Sequence, residues 1–281
     1  MKNFIRLIGI IAFAAVIVFS LTAAACGGNS SGGTTSSRSS TPTLDLLDFF
    51  FMSEEWFRDT PHDFRTNTYS VSSNKQANLK GAAIIIPATY EGKPVTVVDD
   101  FDGEDIVSIT IPNGIIEIGS SAFAGCKSLT SVSIGNSVTT IGDYAFFTCT
   151  NLKSIAIPDS VTEIGRNAFY GCENITSITI GKNVSRIGNN AFNGCSFTSV
   201  IIPASVTILN AGAFGSNYGA VSGAKPSTLT SVTFEGSNHY WDNNFSSYRV
   251  FDGDLDDKYR AGGAGTYTRP NDPNIRTWTK Q

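Results

Sequence analysis

The side chains best placed to do chemistry are acidic, and they cluster near the end of the chain. Asp252, Asp254 and Asp256 alternate in "DGDLDDKY", the spacing of the residues that open a calcium-binding loop. The template then breaks. Asp257 stands where the turn needs glycine, and Gly263 stands where a bidentate glutamate would close the shell. A solvated polar turn is the plainer reading, with a small calcium-binding or enzymatic module as the sharper one. A second acidic run, "DDFDGED" at 99–105, falls at the edge of a repeat. Four cysteines, Cys126, Cys149, Cys172 and Cys195, stand 23 residues apart, which is not the spacing of a metal site. The two histidines, His62 and His239, lie in different end regions, and no CxxC, HExxH, P-loop or GxSxG motif occurs. The residues therefore predict no catalytic site, no metal and no cofactor.

The cysteines belong to a larger pattern that must position everything else. The pair Ala-Phe recurs at Phe123, Phe146, Phe169 and Phe192, and once more at Phe214 after 22 residues. Ile-Gly precedes the first four pairs, at Ile118, Ile141, Ile164 and Ile187, and a cysteine follows each three residues later. An apolar run with spacing 1, 4, 6 comes next, as in Leu152/Ile155/Ile157 and Ile175/Ile178/Ile180. A fixed period of this length marks a solenoid in the leucine-rich repeat range. The last two apolar positions alternate with polar ones, as a half-buried strand requires. Pro112, Gly135, Pro158, Gly181 and Pro203 punctuate the strand ends. With degenerate copies at either end, about seven rungs are expected.

The coils must stack. One rung buries about six apolar side chains, each contributing roughly 1.5–3 kcal/mol. Ordering its backbone costs roughly 1–2 kcal/mol per residue. A lone rung is therefore unstable, and only an array with a shared core folds. Neighbouring rungs are about 4.8 Å apart, so distance alone leaves room for bridges between successive cysteines, whose Cα separations run about 4.4–6.8 Å. Four buried free thiols, packed as small apolar groups, are the preferred expectation.

The motifs "IGSSAFAGCKSLTSVSI", "IGDYAFFTCTNLKSIAIPDSV" and "IGRNAFYGCENITSITI", with the lead-in "IIIPATYEGKPVTVV" at 84–98, resemble the BspA-like, spirochaete-type class of bacterial leucine-rich repeats. The resemblance covers about 81–236. It implies a repeat solenoid with a parallel β-strand ladder, short helical or irregular segments on the convex side, and a cap at each end. It also implies an exported surface protein, since several members of such families act as adhesins. Fold alone does not settle function.

The first 25 residues read as a secretory signal: Lys2 and Arg6, an apolar stretch from Leu7 to Ala25, then small residues. Cys26 at that junction resembles the lipidated cysteine of a bacterial lipobox, although Ala23 stands where leucine is usual. An uncleaved membrane anchor and ordinary cleavage near Ala25 are the other readings. Residues 26–43, the cysteine and a Gly/Ser/Thr-rich stretch, then form a flexible tether. Residues 44–80 are expected to cap the first rung, with a helix or buried segment in "LDLLDFFFMSEEWFRD". Residues 81–236 form the solenoid. Residues 237–281 form a C-terminal cap in which "TYTRPNDPNIRTWT" predicts a hairpin with Tyr267 and Trp278 on one face.

The surface that remains for recognition is the strand face. Its polar positions are Ser108/Thr110, Ser131/Ser133, Ser154/Ala156, Ser177/Thr179, Ser199/Ile201 and Ser231/Thr233. This neutral, hydroxyl-lined strip is a candidate docking face for a protein or glycoprotein ligand. It lacks the Trp, Tyr and Arg anchors that carry most interface energy, so each contact is expected to be weak and to gain strength from multiple copies. Its plainer reading is a solubility ladder. The aromatic stretches near Tyr218 and at 239–251 are a second candidate patch. A formal charge of −4 with few basic residues argues against nucleic acid as a partner. The sequence thus predicts a lipid-anchored, non-enzymatic adhesion or protein-contact module at the cell surface. A structural envelope protein without a specific ligand is the alternative.

Overall fold

Each repeat bends through three sides, and two of them carry strand. The computed structural model describes residues 49–53, 68–73, 79–215, 227–237, 240–242, 249–272 and 275–281. The signal segment, Cys26 and its tether, both histidines and Tyr218 lie outside the described residues, as do all of 239–251 except Tyr240–Asp242 and Arg249–Phe251.

The first strand set follows the 1-4-6 pattern: Ile106–Ile111, Ser131–Ile134, Ser154–Ala156, Ser177–Thr179, Ser199–Ile202 and Ser231–Phe234. The second consists of pieces as short as two residues, centred on the Ile-Gly landmark: Glu117–Ile118, Thr140–Ile141, Glu163–Ile164 and Arg186–Ile187. These short strands pair in parallel without a gap, with Ile118, Ile141, Ile164, Ile187 and Leu209 in register. With Lys93–Val98, Tyr69–Ser73 and Phe49–Ser53 at one end and Tyr240–Asp242 at the other, they form one ten-stranded sheet that also includes Thr89–Tyr90. The 1-4-6 strands form three separate sheets instead.

Both breaks coincide with a missing backbone donor. At the end of the last 1-4-6 strand, the Glu235 N–H donates to the Ile202 carbonyl of the preceding coil (3.0 Å). The equivalent residue one and three coils earlier is Pro203 and Pro158, which has no N–H to give. Pairing lapses at those two steps, between Ser131–Ile134 and Ser154–Ala156 and between Ser177–Thr179 and Ser199–Ile202. It holds at the steps from Pro112, Pro158 and Pro203 to the coil that follows, and also into the Pro112 coil from the strand that precedes Pro87, so the lapses fall where a strand ended by Gly135 or Gly181 precedes one ended by proline.

A column of seven phenylalanines runs along the interior. Phe101, Phe123, Phe146, Phe169, Phe192, Phe214 and Phe251 stack in turn, with centroids 5.1–5.5 Å apart. All seven are buried. Aromatic pairs of this kind add about 0.5–1.5 kcal/mol beyond area burial. The short-strand side brings coils close together. A Cβ on Gly165 would lie 2.5 Å from Asp143 N and Gly142 C of the coil before it, so this position has no room for a side chain.

Both ends of the array are covered. Phe49–Ser53 pairs antiparallel with Tyr69–Ser73 at the first coil. At the last, Gly265–Thr268 pairs antiparallel with Ser231–Phe234 and with Thr279–Lys280. Tyr267 and Trp278 are both buried beneath this hairpin. Arg269 donates to the carbonyls of Leu229 (2.7 Å) and Ser227 (2.8 Å) and lies 5.1 Å over the Trp278 ring. The open edge of the last sheet is thereby filled.

Of the two expected forms of the convex side, the irregular one is found: turns and two-residue strands, with no helix in the repeats among the described residues, and the helix Leu255–Gly262 beyond them. One expectation changes. Within 44–59, Phe49–Ser53 is a strand and not a helix. Its unbroken apolar run satisfies either period equally well, so pairing with a neighbour decides.

Candidate functional site

The strip residues come together as one exposed row. Ser108 lies opposite Ser131 and Thr110 opposite Ser133. Ser154 faces Ser177, with Ala156 opposite Thr179. Ser199 faces Ser231 and Ile201 faces Thr233. Ser131, Ser133, Ser154, Ser177, Thr179, Ser199 and Thr110 are exposed, while Ser108, Ser231 and Thr233 are half-buried. The hairpin accounts for the last of these: Thr233 exchanges a 2.9 Å hydrogen bond with Thr266. Ile85, 71% exposed, and Ile201, 57% exposed, interrupt the hydroxyl lining toward its two ends.

The interior landmarks are out of solvent. Ile118, Ile141, Ile164, Ile187, Phe123, Phe146, Phe169 and Phe192 are all buried. Cys126, Cys149 and Cys172 are buried free thiols, and Cys195 is a half-buried one. Each donates to the carbonyl of a phenylalanine in a neighbouring coil: Phe101, Phe123 and Phe146 at 3.1 Å and Phe169 at 3.4 Å. Burial, with Cys149 next to it, pushes the Cys126 thiol up to about 12. The adjacent Cys172 thiol and burial push Cys149 higher still. Thiols held protonated in this way are poor nucleophiles and poor metal ligands.

The acidic groups near the C-terminus do not converge. Asp252 accepts from Ser227 N (3.3 Å), and Asp254 accepts from Trp278 N (2.7 Å). Asp256 is buried and accepts from Val250 N (3.1 Å) and Phe251 N (3.3 Å); burial raises its carboxyl to about 6. Each carboxylate ties the cap's backbone in a different direction. Asp99, Asp100 and Asp102 line a cleft of about 390 Å³ with Ser70, Ser72, Ser120 and Ser121. Burial is the main cause that raises the Asp99 carboxyl there. Among the described residues, no three His, Cys, Asp or Glu side chains are placed to hold a metal.

One group escaped the sequence reading. Tyr144, Phe147 and Tyr170 cluster on the outer side of two adjacent coils, with Arg166 beside them. The signal was present in "DYAFFT" and "RNAFYG", where other copies have serine, alanine, asparagine or glycine. These two slots change residue type from copy to copy, so no periodicity marks them.

Residues 99–220 match the model of the BspA type leucine-rich repeat region in six copies. The solenoid is a BspA-type leucine-rich repeat array. Among solved structures, the leucine-rich repeat protein of T. pallidum is 25% identical, with a TM-score of 0.53, over 61% of this chain and 77% of that one. A leucine rich cell surface protein from Faecalibacterium prausnitzii is 26% identical over 63% of this chain, with a TM-score of 0.43; the chain spans 53% of its length. A leucine-rich repeat protein from Bacteroides capillosus is 32% identical over 40% of this chain and 86% of its own, with a TM-score of 0.35. No curated protein matches the chain. BspA-type arrays are protein-interaction scaffolds and not a known enzyme family. Among the described residues, no helix is long and apolar enough to cross a membrane.

Proposed function

We propose that this protein is exported, anchored by lipid at Cys26, and displayed at the cell surface, where it mediates adhesion or contact with a protein or glycoprotein ligand. BspA-type repeat proteins are typically surface-exposed, and a basic, then apolar, then small-residue N-terminus before Cys26 supports export. The observation that supports the binding role is the exposed hydroxyls held in register within each of three pairs of coils. Such a row offers neutral hydrogen-bonding groups to an extended partner, and weak contacts of this kind gain strength when many copies are displayed. It performs no catalysis and needs no cofactor in this role.

The test is binding of residues 44–281 to a panel of surface glycoproteins, as monomer and on beads. Saturable binding that Ser154→Lys with Ser177→Lys abolishes supports the strip. No binding in either format favours an envelope protein without a specific ligand. For the anchor, wild type should incorporate labelled palmitate and Cys26→Ala should not; equal labelling and mobility of the two would sink it.

A further inference from the structure

Each coil holds two left-handed backbone positions, and one coil fills both with unsuitable residues. The first slot is Ser121, Tyr144, Asn167 and Asn190, with φ between 53° and 61°. Its geometry is imposed by the array, because each of these N–H groups donates to the next coil; Tyr144 reaches the Arg166 carbonyl at 2.8 Å. The second slot is Gly125, Thr148, Gly171 and Gly194. Thr148 donates to the Tyr170 carbonyl at 2.7 Å and has φ 53°. Asparagine and glycine tolerate this conformation, whereas an aromatic and above all a β-branched residue do not. The array therefore accepts strain in one coil, and strain of this kind clusters at functional positions.

The strained coil is also the aromatic one. Tyr144 meets Phe147 edge-on at 5.5 Å, and Phe147 stacks on Tyr170 of the next coil at 5.3 Å and 15°. The exposed Arg166 guanidinium lies 5.7 Å from the Tyr144 ring centre. Among the described residues that ring is its only interaction; the nearby Asp143 carboxylate accepts from the Arg166 backbone N–H instead (2.6 Å). All three rings are half-exposed. The coils on either side present Ser120 and Ser121, and Asn189 and Asn190. Half-exposed Tyr, Phe and Arg inside a small polar rim is the composition of an interface hot spot, and the serine strip has none of these anchors.

We propose that Tyr144, Phe147, Tyr170 and Arg166 anchor a protein segment that presents a carboxylate beside an apolar side chain. The guanidinium supplies the charge for the carboxylate. Ring geometry favours protein over glycan. Phe147 and Tyr170 each cover one face of the other and Arg166 sits over Tyr144, which reduces the ring face open to a sugar, and the exposed guanidinium calls for a carboxylate that a neutral sugar lacks. This inference rests on the proposed contact function and moves its energetic centre from the strip to the coil edge.

The repeat supplies its own control variants, since neighbouring coils already hold other residues at the same slots. The full-length protein, detergent-solubilised, is panned with a phage-displayed random dodecapeptide library. Selected peptides should pair Asp or Glu with an aromatic or aliphatic residue. Their affinity should fall at least tenfold in a Tyr144→Asn, Phe147→Ala, Tyr170→Asn variant and again in Arg166→Gln. It should persist in Ser154→Lys with Ser177→Lys. Thermal unfolding should show the triple variant at least as stable as wild type, which separates lost contact from lost fold. Peptides that bind wild type and the triple variant equally overturn the hot spot, and so does failure to enrich any peptide. Binding of an acidic glycan array, or self-association, that the triple variant abolishes would assign the patch to a different partner and overturn the protein segment. Peptides lost only in the strip variant would leave the contact function standing and remove this site from it.

Discussion

The two parallel ladders of the array share a period and a core but differ in continuity. The short Ile-Gly strands run unbroken, whereas the longer serine strands form three sheets. Strand length does not explain this, since the shorter pieces make the more continuous ladder. Backbone donors and close approach do. Glycine fits the close approach at every step from Gly119 to Gly188 on the Ile-Gly side, whereas on the serine side the equally close Gly135 and Gly181 alternate with prolines, and pairing lapses where Pro158 and Pro203 follow them. A phenylalanine column also runs the length of the array and a cysteine column through its four central coils, so the repeat repeats most faithfully inside.

Breaking the interior column should have the largest effect. Phe169→Ala should destabilise the protein by about 3–5 kcal/mol, against about 2 kcal/mol for Ile178→Ala, whose side chain lies on the serine side and is only partly buried; urea unfolding checks both. Equal losses would show that the two sides are not energetically distinct. Gly165→Ala forces a methyl into the backbone of the coil before it and should cost about 1–3 kcal/mol, seen as a lower urea midpoint. A cost under a few tenths would mean the coils can separate there without penalty.

The cysteine column gives a chemical readout. With the Cys126 thiol pushed up to about 12 and Cys149 raised further, native protein should react negligibly with iodoacetamide at pH 8 and scarcely faster at pH 9. Unfolded without reductant, it should expose all four repeat thiols; fewer than four would reveal bridges. The smallest effect sharpens the comparison most. Pro158→Ala supplies the missing N–H but loosens the unfolded chain, so stability should change by less than about 1 kcal/mol. The new amide at 158 should nonetheless be protected in hydrogen exchange. Rapid exchange there would show that proline is not what parts the sheets.

What the sequence revealed follows the same division. The period, the 1-4-6 strands and the interior phenylalanines were legible because a repeated slot repeats its residue type, as at Phe123 through Phe192. Phe101 and Phe251 extend the column but were missed, because irregular spacing and the insert before Phe251 throw them out of register with the motif. The Ile-Gly ladder was missed because two residues carry no detectable alternation. Asp252, Asp254 and Asp256 suggested a loop, yet they accept from backbone N–H groups of residues 227, 250, 251 and 278, Asp257 pairs with Arg249, and no spacing rule encodes those partners. Tyr144 and Thr148 were visible, but their strain needed a φ angle to be recognised.

The alternation of Pro112, Gly135, Pro158 and Gly181 also sets how such an array can change length. Deleting one 23-residue coil between Pro112 and Pro203 would place two prolines or two glycines on adjacent strand ends, as Pro87 and Pro112 already stand, and would remove one of the two steps at which pairing lapses. Adding two coils, the distance from Pro112 to Pro158, keeps the phase. The repeat is written in units of one coil, but growth and trimming without repair should proceed in units of two.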